Sequence, residues 1–295
     1  MDLAIRPAAR DAIGAYVRLT KPRIIVLLLI TTVPTMVLAA GRWPSTLLVL
    51  STLIGGTVGA ASANTINMVI DRDIDAIMRR TRTRPLPAHA IEPRAALVFG
   101  IVLAALSFAF MVATVNLLAA ALTQAAIAFY VFVYTMGLKR TTPQNIVIGG
   151  AAGAVPVLVG WAAVTGTVGA PAWVLFGIVF MWTPPHFWAL ALRHAEDYAA
   201  AKVPMMPVVA GEEATKRQIV VYAVATVFLT VLLAPVAGLS VVYLALATGL
   251  GGWLVGHAFA IWQMGTRAAY PLFRTSILYL AFVFLAVGID PLLSL

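Results

Sequence analysis

A chain of 295 residues with 62% hydrophobic and 11% charged residues is not an ordinary soluble domain, in which about half the residues are apolar and about a quarter charged. The net charge of +9 does not point to nucleic acid, because the basic residues are scattered over short connectors rather than gathered on one folded face. The absence of cysteine excludes both a disulfide framework and a thiolate metal site.

Crossing a hydrocarbon core of roughly 30 Å takes about 20 apolar residues. Runs of that kind recur at 24–40, 47–70, 95–115, 117–137, 145–165, 172–193, 218–238, 240–262 and 275–294. Backbone polar groups in lipid must be satisfied within the segment, and the runs lack the alternation of a membrane barrel strand, so they are helices. The expected fold is all-α: a polytopic membrane bundle of about nine transmembrane helices, one domain over 1–295, with 1–20 as a cytoplasmic N-terminal segment. More than twenty mostly polar or amphipathic residues precede the first run and no small-residue cleavage site follows, so it is not read as a signal peptide.

All of the 20 Lys and Arg except Arg42 fall before the first run or in the connectors after even-numbered runs. The positive-inside rule then places the N-terminus and those connectors in the cytoplasm and the C-terminus outside. Acidic residues do not set topology, yet Asp71, Asp73, Asp75, Glu196 and Asp197 crowd the same end. That concentration suggests a charged substrate with a cation, handled at the cytoplasmic face.

The second run ends in Asn67-Met-Val-Ile-Asp71-Arg-Asp-Ile-Asp75. On a helix the i, i+4, i+8 spacing brings Asn67, Asp71 and Asp75 to one face, with Asn64 a turn earlier; Asp73 points away and is expected to be solvated or ion-paired. Two like charges on one inward face need compensation. Hard oxygen ligands suit Mg²⁺, which binds through a few carboxylates and the phosphates of its substrate, so the triplet reads as a metal–diphosphate site. The competing reading pairs Asp71 and Asp75 with Arg79 and Arg72 as helix-end salt bridges.

Four arginines follow in Arg79-Arg80-Thr-Arg82-Thr-Arg84-Pro85. Guanidinium forks bind phosphate bidentately, which makes Arg79 first and Arg82 second candidates for diphosphate contact, although such a run also serves topology. Lys139 and Arg140, between the fourth and fifth runs, are candidates to neutralise a departing diphosphate under the same alternative.

The sixth run contains Trp182-Thr-Pro184-Pro185-His186-Phe-Trp188 and leads to Arg193-His194-Ala-Glu196-Asp197-Tyr198. His194 and Asp197 are three apart and form a candidate second metal–diphosphate arm. The proline pair breaks the helical ladder and opens space. His186 and Trp188 there are candidate contacts for a flat macrocycle; a buried histidine bonded across helices is the equal alternative. His89 and His257 have no partners in sequence and are left structural.

These strings resemble the UbiA-type intramembrane prenyltransferase superfamily over nearly the whole chain. The resemblance rests on Leu19-Thr20-Lys21-Pro22-Arg23, Asn64 to Pro87, Asn145-Ile-Val-Ile-Gly-Gly, Thr183 to Trp188, Asp197-Tyr198, Val203 to Pro207 and Ser276-Ile-Leu-Tyr279-Leu. Asp71 to Asp75 running into Arg82-Thr-Arg84-Pro85, together with Pro184-Pro185-His186-Phe187-Trp188, is similar to the haem-modifying branch. His194 with Asp197 stands where other branches carry a second DxxxD motif.

The resemblance implies a Mg²⁺-dependent prenyltransferase of the bacterial inner membrane. Its substrates would be farnesyl diphosphate and haem B, joined with water to give haem O and diphosphate. It also implies Asn67, Asp71, Asp75 and Asp197 at the metal, and hand-over of product to a haem A synthase or terminal oxidase assembly factor. Transfer to an aromatic quinone precursor or another tetrapyrrole is the alternative chemistry. A transporter and a non-catalytic haem-handling protein are the alternatives in kind.

Overall fold

The computed structural model describes residues 9–293, with the side chains of 9–11 and 23–29 left aside; the first eight residues of the expected N-terminal segment and the last residue of the ninth run lie outside it. α1 (Ala9–Thr20) is a short amphipathic helix. It turns through Lys21, whose backbone is left-handed (φ 52°), into α2 (Pro22–Ala40), where Pro22 opens the helix with its φ already set. α3 (Thr46–Ile70) runs back and continues through Asp71 into the one-turn-and-a-half α4 (Arg72–Ile77).

α5 (Pro93–Thr114) and α6 (Leu117–Ala128) form the next hairpin. α6 passes directly into ten residues of π-helix, Phe129–Leu138. α7 (Asn145–Thr165) and α8 (Ala170–Arg193) follow, then two short pieces, α9 (Ala195–Ala200) and α10 (Met206–Val209). α11 (Gly211–Ala237), α12 (Val241–Met264) and α13 (Ala269–Leu293) complete the chain, the last two joined by a 3₁₀ turn at Gly265–Ala268.

Among the described residues seven helical stretches are long and apolar enough to cross a bilayer. The last of these, Val241–Leu293, contains the two antiparallel helices α12 and α13, and α2 contributes a shorter apolar stretch, Ile30–Ala40. Among the described residues, long helices therefore stand where the nine runs were expected, α6 being continued by its π segment. Each is apolar nearly all round, as a helix between a protein core and lipid must be. The exposed leucines, isoleucines, valines and phenylalanines on α5, α11, α12 and α13 form that outer surface.

The helices close a ring: α2 packs on α3, α7 and α13, α3 on α5, α6 on α7, α7 on α8, α8 on α11, and α12 on both α11 and α13. Small residues permit several of these approaches. A Cβ at Gly160 would stand 2.8 Å from the Thr32 carbonyl oxygen, and one at Gly100 would stand 2.7 Å from Ile66 Cγ1. Because the helices alternate in direction, the end of α3, the loop 78–92, the exit of α6 and the segment from α8 to α11 all meet at one end of the bundle.

Candidate active site

Asn67, Asp71 and Asp75 do share one face at that end. The turn from α3 into α4 keeps helical hydrogen bonds from Asp71 N to Asn67 O (2.9 Å) and from Asp75 N to Asp71 O (2.8 Å), so the i, i+4, i+8 register survives the junction. Asp71 and Asp75 are 0% and 2% exposed. Two carboxylates so deeply placed require cations, and the fold supplies them from distant parts of the chain.

Lys139 Nζ lies 2.5 Å from Asp71 Oδ2. Arg84 Nη1 donates to both oxygens of Asp75, at 2.9 and 2.8 Å. Lys21 Nζ donates to Asn67 Oδ1 at 2.8 Å. Desolvation, reinforced by the positive charges of Arg84 and Lys139, pulls the Lys21 amine down to a pKa of about 7, against the opposing pull of Asp75 and Asp71.

The orientation of Asn67 is over-determined. Thr135 gives its only proton to the Tyr130 carbonyl (2.7 Å), so its Oγ1 can only accept from Asn67 Nδ2 (3.1 Å). The same amide nitrogen donates to Asp71 Oδ2 at 2.8 Å. Both amide protons are thereby committed and Oδ1 is turned toward Lys21. The contact between Tyr130 and Thr135 uses the wider turn of the π-helix, which also bonds Lys139 N to Tyr134 O at 2.8 Å; a π segment at a functional site is a recurrent device.

Asp73 points away, as expected, and forms a fork with Arg140 at 2.7 and 2.7 Å. That hydrogen bond, more than any other influence, holds the Asp73 carboxyl down at a pKa of about 2. Arg140 also approaches Asp71 Oδ1 at 3.7 Å, beyond hydrogen-bonding range. Asp71 Oδ1 itself is buried without a hydrogen-bond partner.

Of the expected arginine contacts, Arg79 and Arg82 lie exposed and do not reach the carboxylates; Arg84 does. The reason is Thr81, whose hydroxyl bonds back to the Asp75 carbonyl (3.0 Å) and winds the chain so that the residue before Pro85 faces inward. Arg72 donates instead to the Val69 carbonyl (2.9 Å), so the alternative pairing of the acids with Arg79 and Arg72 is replaced by Lys139 and Arg84. A proline following an arginine was the one available signal for Arg84; nothing in the sequence marked Thr135.

The second expected arm comes from the other half of the chain. His194 stands between α8 and α9 and Asp197 lies in the first turn of α9, both partly buried. Desolvation first, and then the Arg80 charge, lowers the His194 pKa. Burial raises the Tyr198 pKa despite that arginine.

His186 and Trp188 belong to a different environment. The His186 ring is stacked between Trp182 (4.2 Å) and Phe273 (4.6 Å), and its Nδ1 lies 2.8 Å from Ser276 Oγ. Ser276 gives its own proton to the Phe273 carbonyl, which places the imidazole proton on Nδ1 and leaves the Nε2 lone pair uncommitted. Trp188 is 0% exposed and packs edge-on against Tyr222 of α11, so its face is not open to a macrocycle.

Directly below Asn67, a cavity of about 170 Å³ opens at Asn64 and Tyr130 and descends between α2, α3, α6 and α7 past Gly56, Gly59, Gly153 and Val159. Its lining is mainly apolar, with the polar residues Thr32, Thr52, Asn64 and Thr123 among it. The site therefore combines a cation-rimmed cluster of buried oxygen donors with an oily shaft beneath it.

The donor set fits a hard divalent cation: the oxygens of Asn67, Asp71 and Asp75, one of them Asp71 Oδ1, which has no hydrogen-bond partner. Among the described residues no group of three or more His, Asp or Glu side chains could hold a metal unaided.

Fold and composition together define a class: integral membrane proteins built as a bundle of packed apolar helices. The chain belongs to the UbiA prenyltransferase family, matched over residues 28–288, and is a prenyltransferase. It is 50% identical over 304 aligned positions, covering 99% of both chains, to protoheme IX farnesyltransferase of Clavibacter michiganensis subsp. michiganensis. It is 54% identical to the protein of that name from Gloeobacter violaceus, covering 96% of this chain and 94% of that one.

Solved structures share the fold. One of digeranylgeranylglyceryl phosphate synthase has a TM-score of 0.78 at 18% identity, covering 95% of this chain and 99% of that one. A UbiA homologue from Archaeoglobus fulgidus bound to GPP and Mg²⁺ has a TM-score of 0.64 at 18% identity, covering 93% and 99%.

Proposed function

We propose that this protein transfers the farnesyl group of farnesyl diphosphate to a vinyl group of haem B, with addition of water, giving haem O and diphosphate. The observation that carries the reading is the fully buried Asp71, with one oxygen on Lys139 and the other without a hydrogen-bond partner, set over an apolar shaft. Relatives bearing the farnesyltransferase name over essentially the full chain support the choice of donor and acceptor.

Asn67, Asp71 and Asp75 would hold Mg²⁺, with Asp197 on the opposite arm. When bound, the ion supplies Lewis-acid stabilisation to the diphosphate leaving group. Lys139 and Arg84 surround the same point with positive charge that is already oriented, which favours the pair of electrons leaving with the allylic oxygen, and Lys21 adds a hydrogen-bond donor beside them. Arg79, Arg82 and Arg140 are placed to attract the diphosphate as it arrives.

The allylic C1 then bonds to the terminal vinyl carbon of the haem. The cation left on the carbon next to the pyrrole ring takes up water and loses a proton, leaving a hydroxyl. The shaft below Asn64 keeps bulk water from the first cation, so coupling precedes hydrolysis. The uncommitted Nε2 of His186 is our candidate for contact with the haem iron, with Ser276 fixing the ring from behind. His194 would flank the acceptor from the α9 side.

The placement of every Lys and Arg except Arg42 supports a cytoplasmic N-terminus, an outer C-terminus and an active site at the cytoplasmic face of the inner membrane. Product would pass from there to a haem A synthase or a terminal oxidase assembly factor.

The test is direct. Purified protein in detergent with haem B, farnesyl diphosphate and Mg²⁺ should give a haem whose mass has gained one farnesyl group and one hydroxyl. Chelator should abolish the product, and Asp71→Asn and Asp75→Asn should each reduce it on the order of a hundredfold or more. Product formation undiminished in chelator, or transfer to an aromatic acid but not to haem, would overturn the assignment.

A further inference from the structure

Three glycines line the apolar shaft, and they are not equivalent. A Cβ on Gly59 would stand 2.6 Å from Thr123 Cγ2 and 3.0 Å from Ser107 Oγ, so that glycine serves the contact of α3 with α5 and α6. Ideal Cβ atoms on Gly56 and Gly153 meet nothing within 4 Å. Their missing side chains create empty space in the shaft, and helix packing does not require them to be bare. Glycine in a helix interior costs about 1 kcal/mol relative to alanine, so two at unobstructed positions call for a reason.

Depth separates these two. Gly149 faces Tyr134, whose neighbour Thr135 bonds Asn67, so Gly149 marks the level of Asn67. Gly153 is one turn further along α7, about 6 Å below that level. Gly56 lies eleven residues from Asn67 on α3, about 16 Å down.

An extended chain advances roughly 3.5 Å for every three backbone bonds, so an isoprene unit of four bonds advances about 4.7 Å. Two units then reach about 9 Å and three about 14 Å below the head group. The end of a C10 tail passes Gly153 and stops short of Gly56. The third unit of a C15 tail arrives beside it.

We propose that Gly56 sets the length of the prenyl donor: its bare backbone admits the third isoprene unit of a C15 tail. Gly153, nearer the mouth, gives clearance to a prenyl tail of any length. The inference rests on the proposed function for the diphosphate at Asn67 and Asp71 and adds that the apolar shaft beneath them holds the donor's tail; it does not rest on the identity of the acceptor.

The experiment compares binding of geranyl and farnesyl thiolodiphosphates, which resist ionisation, to the full-length protein in detergent with Mg²⁺. Turnover of the corresponding diphosphates with haem B is measured alongside. The wild type should favour C15. Gly56→Leu should weaken C15 binding on the order of tenfold or more and invert the C15:C10 preference, because a few carbons in an apolar pocket are worth that much. Gly153→Leu should weaken both donors in parallel.

A folded Gly56→Leu protein with an unchanged C15:C10 ratio overturns the proposal, as does one that loses both donors equally. If Gly56→Leu fails to fold, Gly56→Ala, which adds one carbon to open space, should shift the ratio in the same direction, and an unmoved ratio there is equally fatal. A wild type that binds C15 over C10 yet makes no prenylated haem would sink the haem assignment and leave the role of Gly56 standing. A wild type with no preference for C15 would sink the role of Gly56 alone.

Discussion

Arg84 holds both oxygens of Asp75, 2.9 and 2.8 Å away, although nine residues and a proline-bounded turn separate them. Asp75 is 2% exposed, so this one amino group, Nη1, shared between the two oxygens, satisfies a charge that water cannot reach. Arg84→Ala leaves that carboxylate short of its closest cation and should lower turnover on the order of 10²-fold, as expected for removing one pre-oriented charge at a leaving-group site. Arg84→Lys should recover only part of the loss, because the lysine side chain is shorter and its ammonium stops short of the Nη1 position between the two oxygens. Rates for the two variants at saturating donor check the ordering; equal rates would argue against a role for this cation.

Thr135 acts through Asn67 without facing the substrate itself. Thr135→Val keeps the shape but removes the acceptor that fixes the Asn67 amide, whereas Thr135→Ser retains it. The Mg²⁺ concentration for half-maximal rate should rise roughly 10- to 100-fold in the valine variant, the usual effect of losing a group that orients a metal ligand. The serine variant should stay near wild type. A metal titration of the three proteins distinguishes this from a packing defect, which would move thermal stability in both.

Gly149 and Gly252 make a matched pair for stability. A Cβ at Gly149 would stand 2.2 Å from Cδ2 of Tyr134, a ring stacked on Tyr130 at 5.3 Å. Gly149→Ala should therefore destabilise by roughly 1–3 kcal/mol. Gly252 is exposed on α12 with nothing near its Cβ position, so Gly252→Ala should be neutral or stabilising by up to about 1 kcal/mol. Thermal unfolding in detergent reads both signs.

Asp290 works at the far end of the bundle from the active site. It is 8% exposed, and its carboxylate accepts from Ser240 N (2.9 Å) and from the Ser240 hydroxyl, tying the end of α13 to the start of α12. Asp290→Ala should cost about 1–3 kcal/mol by removing two hydrogen bonds to a charged acceptor. Turnover per folded molecule should not change. A drop in specific activity with unchanged stability would show that this carboxylate does more than cap a helix.

The nine membrane runs, the family strings and the face shared by Asn67, Asp71 and Asp75 were all written locally. Length, hydropathy and a period of 3.6 residues act between near neighbours, and lipid leaves the backbone no other way to satisfy itself than a helix. Asp73 could be set aside for the same reason, since its angular position on the helix depends only on its spacing from Asp71.

The partners of those carboxylates depended on contacts across the chain. Lys139 meets Asp71 across 68 residues, Lys21 meets Asn67 across 46, and His186 meets Ser276 across 90. Sequence spacing says nothing about such encounters, which follow from the order in which the helices close their ring. Arg79 was favoured over Arg84 because an uninterrupted helix would have placed it one turn beyond Asp75; the chain instead leaves the helix at Met78 and winds back through Thr81. The empty space beside Gly56 likewise exists only because four helices, α2, α3, α6 and α7, meet around a residue with no side chain to fill it.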